Sequence, residues 1–174
     1  MSDDLRYPIG RPEPVTHLHP RQRQRCIADL AAAPTQLRHA VHGLAVEKLD
    51  IPYRPGGWTV RQVVHHLPDS HLNGYLRFRL GLTEDTPVIK PYDQDGWSAL
   101  PDARTAPLEP SLALFDALHA RWVGLLEALP PEAFRRTVRH PEQGLLTLDG
   151  LLALYAWHGR HHIAHITTAR ARIA

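Results

Sequence analysis

Cysteine is nearly absent from this sequence: Cys26 stands alone in 174 residues. A lone cysteine excludes an intramolecular disulfide and any metal site built from several thiolates. Flanked by Ile27 and Leu30 in a helical pattern, it is expected to be a buried, inert thiol. An excess of charge of one sign is lacking too. Lys and Arg number 20 against 18 Asp and Glu, which leaves a formal +2. The arginines are scattered and form no basic block, so the charge gives no argument for nucleic acid and none is expected as a partner. No apolar run approaches the roughly 18 residues needed to span a bilayer. The N-terminus shows no basic-then-apolar leader, so a cytoplasmic location without membrane contact is expected. At this length the expectation is one domain over 1–174 with a real core.

Histidine is the compositional outlier, with 13 in the chain. His158, His161, His162 and His165 fall within the short run Trp157 to His165. The segment before it, Thr147 to Tyr155, is Leu-rich at helical spacing, so one long helix is expected to carry both. At about 100° per residue, Leu148, Leu151, Leu152, Tyr155, Ile166 and Ala169 form one apolar stripe. His162 falls on that stripe and His158 on its shoulder; His165 lies further round, and His161 points well away. Imidazoles at i and i+4 on one helix face can reach a single ion, so His158 and His162 are read as a metal-binding pair. Set against this, a histidine near an apolar stripe is commonly a core residue with a satisfied hydrogen bond, and a bare pair lacks the specificity of a complete motif.

Proline marks where helices are not expected. Pro8, Pro12, Pro14 and Pro20 make residues 1–20 an extended arm, which packs on the surface or covers a cleft, packing being the simpler expectation. A helical pattern then runs from Arg21 through Leu30, Leu37 and Leu44, with Pro34 expected to kink or split it. The turn-rich Asp50–Gly57 follows, and Thr59 with Gln62 makes a capping box opening a second helix. That helix carries Val60, Val63, Val64, Leu67 and Phe78 on one side, together with His65, His66 and His71. Periodicity does not choose among the three: His71 is centred on the stripe, and the other two flank it. Pro68 inside the helix is expected to bend it. Asp69, Ser70 and Asn73 lie one to two turns past His66 and are candidates to orient a ligand imidazole or a bound group; the alternative is an ordinary polar face.

Residues 86–110, with Pro87, Pro91, Pro101, Pro107 and Pro110, read as a long irregular loop. Tyr92, Asp93, Asp95 and Trp97 make it a candidate pocket rim, or Trp97 merely anchors it. A third helix is expected from about Ser111 to Leu129, ended by Pro130-Pro131; its Asp116 and His119 receive no role. Thr137–His140 and Leu145–Thr147 around a turn suggest a short hairpin, with His140 exposed.

Several separated motifs now accumulate in order: Tyr7-Pro8-Ile9-Gly10; Pro52-Tyr53-Arg54; Gly56-Gly57-Trp58-Thr59 running on to His65-His66-Leu67; Asp69-Ser70-His71; Pro91-Tyr92-Asp93; Trp157-His158; and His161-His162-Ile163-Ala164-His165. Over nearly its full length the sequence resembles the DinB superfamily, in its YfiT-like branch. The resemblance implies an all-α four-helix bundle of up-down-down-up topology and a divalent metal, zinc or nickel, held by three histidines. Carried over residue by residue, the ligands are His66, His158 and His162. Pro68 departs from the family pattern, where a small helix-compatible residue is expected. Three neutral imidazoles leave a coordination position open, the pattern of a catalytic rather than a closed structural site. Such an ion can acidify water or a thiol. The resemblance thus implies a metal-dependent enzyme. Transfer of a low-molecular-weight thiol of the bacillithiol type to a small electrophile is the first expectation, and metal-dependent hydrolysis is the alternative. A metal-binding bundle without catalysis is the third. Homodimeric assembly is left open.

Overall fold

The computed structural model describes residues 5–173, so the first four residues of the expected arm lie outside it. Four long helices carry the chain: α1 (Pro20–Val41), α2 (Val60–Thr83), α3 (Glu109–Ala128) and α4 (Leu148–Ile173). Their starts follow from local chemistry. Pro20 occupies the first turn of α1, where a missing N–H costs nothing. Thr59 caps α2 reciprocally: its hydroxyl accepts the Gln62 N–H at 3.2 Å, while Gln62 Oε1 accepts the Thr59 N–H at 2.9 Å.

Specific contacts give the direction of each helix. Arg23 meets Asp149 near the starts of α1 and α4, and Arg170 reaches the Ala40 carbonyl near their ends, so these two run parallel. His65 meets Ser111 and Phe78 meets Trp122, so α2 and α3 are parallel as well. Arg38 of α1 reaches Glu109 at the start of α3, and Gly74 and Gly81 of α2 face Tyr155 and Leu148 of α4, so both pairings are antiparallel. The order is therefore up-down-down-up, as expected.

Two apolar clusters fill the bundle. One contains Leu30, Phe78, Trp122, Leu148, Leu151 and Tyr155; the other contains Leu37, Val60, Val64, Leu67, Phe115 and Ile166. Between them lies a layer of imidazoles. The His71 ring lies 5.1 Å from Phe115 on one side and 5.3 Å from Tyr155 on the other, with His119 stacked on it at 4.9 Å.

Several local expectations are corrected. Helix α1 runs through Pro34 as one element, so the expected split into two helices does not occur, and α2 likewise continues past Pro68. Both prolines are buried, and packing of the flanking turns outweighs the roughly 3 kcal/mol that an interior proline costs. Residues 86–110 are not irregular throughout. They hold two short helical turns, Gln94–Ser98 and Pro101–Thr105, fastened to α2 by Gln62 to the Ser98 carbonyl (2.8 Å) and Arg61 to the Ala106 carbonyl (2.9 Å). The hairpin is present as β1 (Thr137–His140) and β2 (Gly144–Thr147), paired antiparallel with Val138 opposite Leu146. His140 is buried, contrary to expectation, because its Nδ1 turns inward to accept the Glu142 and Gln143 N–H groups of the hairpin turn. Among the described residues no helix is long and apolar enough to cross a membrane.

Candidate metal centre

Three histidines from two antiparallel helices converge. His66 comes from the second turn of α2, and His158 and His162 from successive turns of α4. One ring nitrogen from each lies within 4.8 Å of the others, and His66 Nε2 stands 3.2 Å from His158 Nε2. Among the described residues no carboxylate or thiolate joins this group. His66 and His162 are buried and His158 is half-buried. Burial pushes the His66 imidazole down to about 4. Burial, then the neighbouring imidazoles, pushes His158 and His162 well below the ordinary histidine value. Neutral rings with free lone pairs are what a divalent cation requires, so the donor set fits such an ion.

The three second-helix histidines, which periodicity left undivided, have separate tasks. His65 ties α2 to the start of α3 through Ser111 Oγ at 2.7 Å and to the Ala106 carbonyl at 3.3 Å. His66 faces the α4 pair. His71 lies fully buried behind His158, its Nε2 3.2 Å from His158 Nδ1.

A cavity of about 530 Å³ opens on His158 and His162 and is walled by Tyr53, Arg54, Trp58, Trp157, Gln94 and Asp95. Arg6 and Tyr7 line it too, so the N-terminal arm covers a cleft instead of simply packing on the surface. Of the expected rim, Asp95 contributes, whereas Tyr92 and Trp97 pack on each other at 4.8 Å outside the lining.

The arm also explains the clearest error of the periodic reading. His161 is only 6% exposed, stacked on Trp157 at 4.3 Å and covered by Tyr7 at 5.7 Å. Helical spacing registers only the face turned to the bundle, whereas this face is buried by chain from the other end of the sequence. His165 is likewise buried, stacked 3.9 Å from Tyr53, with Nε2 bonded to the Arg6 carbonyl at 3.0 Å. Together with His162 these two make a second group whose nitrogens lie within 4.8 Å.

None of Asp69, Ser70 and Asn73 lines the cavity. The Asn73 amide donates to the Asp69 carbonyl of its own helix at 2.9 Å, and Ser70 is hydrogen-bonded to the Tyr92 hydroxyl. Asp69 has its carboxyl pushed up to about 6 by burial and then by Asp102. Of these contacts only that of Ser70 with Tyr92 ties α2 to the 86–110 segment. The residues that back the histidine cluster are instead His71, His119 and His165, of which His119 carried no signal in its own helical spacing.

A bundle of four helices in this order, with a histidine triad between the second and fourth, defines the DinB class, and the chain belongs to the DinB superfamily, whose family model matches residues 29–166. YfiT of Bacillus subtilis, provisionally named a metal-dependent hydrolase, is 49% identical over 173 residues, covering 99% of this chain and 97% of that protein. A Bacillus mycoides protein of the same provisional description is 48% identical over 170 residues, covering 98% of each. The solved structure of Bacillus subtilis YfiT, described as having an unusual four-helix-bundle topology, superposes with a TM-score of 0.95 over 98% of both chains. The four-helix bundle protein TT2238 shares the fold at 22% identity, with a TM-score of 0.58 over 81% of this chain and 94% of that one.

Proposed function

We propose that the protein is a metal-dependent hydrolase in which His66, His158 and His162 hold a divalent cation, zinc or nickel. The observation that carries this reading is the convergence of three imidazoles whose nitrogens lie within 4.8 Å of one another, with His158 and His162 at the wall of the open cavity. The provisional description of the 49% identical relative points the same way. When bound, such an ion supplies Lewis acidity, which polarises an electrophile and brings the pKa of coordinated water to about 7.

The chain's own residues do the rest. Three neutral donors leave the double positive charge of such an ion uncompensated, which favours anionic or strongly polar substrates. Arg6 and Arg54 add positive charge at the cavity wall, and among the described residues Asp95 is the only carboxylate that lines it. Tyr53, Trp58 and Trp157 offer flat apolar faces to an organic substrate and help exclude bulk water. Trp58 packs on the His66 ring at 4.7 Å, so the substrate-facing wall and the ligand are mechanically joined.

Thiol transfer to a small electrophile, the first expectation from sequence, uses the same histidines, and the cavity has room for a second small molecule. The relatives lend it no support, so it stands behind hydrolysis. A cytoplasmic location belongs to the same reading. The deciding experiment is turnover of activated esters, amides and epoxides by zinc- or nickel-loaded protein, with and without a low-molecular-weight thiol. Turnover in water alone establishes the hydrolase; strict thiol dependence replaces it with a transferase. Tight metal binding with no turnover in either arm reduces the protein to a metal-binding bundle.

A further inference from the structure

Behind the triad the histidines form two hydrogen-bonded chains whose polarity is fixed at a backbone carbonyl. In the first chain His119 Nδ1 lies 2.6 Å from the Leu30 carbonyl oxygen. A carbonyl can only accept, so Nδ1 carries the proton. A neutral imidazole has one N–H, so His119 Nε2 must accept, and it takes the N–H of His71 Nδ1 at 2.9 Å. His71 Nε2 then accepts from His158 Nδ1 at 3.2 Å. His158 is left with an unprotonated Nε2, the atom that faces His66.

The second chain has the same logic. His165 Nε2 donates to the Arg6 carbonyl at 3.0 Å, its Nδ1 accepts from His162 Nδ1 at 3.3 Å, and His162 Nε2 is left bare. His71, His119 and His165 are all buried, and burial favours the neutral ring with one N–H and one acceptor nitrogen. The anchor of the first chain has a visible origin. Pro34 lacks the N–H that would normally bond the carbonyl four residues earlier, which is that of Leu30. The proline expected to kink or split α1 frees the acceptor at which this chain of three imidazoles is anchored.

We propose that Leu30–His119–His71 and Arg6–His165 are positioning relays that hold His158 and His162 as Nδ1–H tautomers, so that both present Nε2 lone pairs to the same cation. The metal half of this statement rests on the ligand assignment made above; the tautomer half does not. Losing the relay at His119 removes the acceptor of His71 Nδ1–H, which releases His71 to protonate Nε2 instead. The His158 Nδ1 must then accept, and its proton moves to Nε2, where it blocks the cation. The second relay is untouched, so His162 is an internal control.

The test is long-range 1H–15N correlation of the imidazole nitrogens in the metal-free full-length chain, paired with zinc affinity by chelator competition. The wild type should show His158 and His162 with protonated Nδ1 and bare Nε2. His119→Leu should invert or scramble His158 alone and weaken zinc roughly 10–100-fold. His119→Gln, whose amide N–H can serve the Leu30 carbonyl while its oxygen accepts from His71, should keep both the tautomer and near-native affinity. His165→Leu and His165→Gln make the same comparison for His162, and serve if the His119 variants do not fold. A wild-type His158 protonated at Nε2, or Leu and Gln variants of equal zinc affinity, would overturn the relay. If instead His158→Ala retains full zinc while the wild-type tautomers are as stated, the ligand assignment fails and the tautomer relay stands.

Discussion

Arg23 and Asp149 form a buried two-point ion pair between the starts of α1 and α4, with Nε–Oδ1 at 2.8 Å and Nη2–Oδ2 at 2.9 Å. Asp149 is fully buried and also accepts the Leu18 N–H at 3.0 Å, so its lone pairs are well used. The Asp149 partner holds the Arg23 guanidinium even further above its ordinary value. Because the pair joins two parallel helices distant in sequence, it also fixes their register. Asp149→Ala leaves a buried guanidinium unpaired and should cost about 3–5 kcal/mol in urea unfolding. Combining it with Arg23→Met should cost clearly less than the sum of the two single changes. Additive losses would mean that the pair is not energetically coupled.

Alanine at His66, His158 or His162 should each abolish retention of zinc or nickel through dialysis, measured as moles of metal per chain. His161→Ala should retain it, since His161 belongs only to the other group and its Nδ1 has no hydrogen-bond partner among the described residues. Wild-type stoichiometry in all three triad variants would refute the assignment.

Acid should unfold the metal-free protein early. His66, His119 and His165 have their imidazoles pushed down to about 4 by burial, whereas in the unfolded chain they titrate near about 6.5. Below the higher value the unfolded state takes up protons that the folded state refuses. Stability is therefore complete above about pH 6.5 and is lost as pH falls toward about 4. His119, only 1% exposed, contributes on the order of 3 kcal/mol across that window. Urea midpoints at pH 7.5, 6 and 5 should show the decline, and His119→Gln should flatten it; an equal slope in that variant would contradict the assignment.

Gly74→Ala sets two effects against each other. Alanine favours a helix over glycine by about 1 kcal/mol. A Cβ at this position, however, would stand 2.5 Å from the Tyr155 ring, which is buried against Trp122 and His71 and has little room to retreat. Overpacking of this kind costs about 1–3 kcal/mol, so the variant should melt earlier than the wild type. A raised melting temperature would show that the ring can move.

Cys26→Ser should leave turnover unchanged. The thiol is pushed above its ordinary value, mainly by burial, and it does not line the cavity. Loss of activity with metal retained would make Cys26 the nucleophile.

Short-range pattern, read from the residues alone, carried the capping box at Thr59, the hairpin before α4, the existence of four helices and the inward pair His158 and His162. Each of these depends on spacing along a single segment, and spacing is what periodicity measures. The choice among His65, His66 and His71 was not local: on one helix face all three are near the stripe, and only the partners brought by α3 and α4 separate them. His66 came from the resemblance of the surrounding motif, and the structure places it against the α4 pair. The burial of His161 depended on an arm from the opposite end of the chain, and the short helices within 86–110 depended on their anchorage to α2. Pro34 shows the difference most directly. Its missing N–H was plain in the sequence and predicted a kink or a split. That the freed Leu30 carbonyl would meet His119 was decided by the packing of α1 against α3, because a hydrogen bond satisfies a carbonyl wherever its donor comes from in the chain.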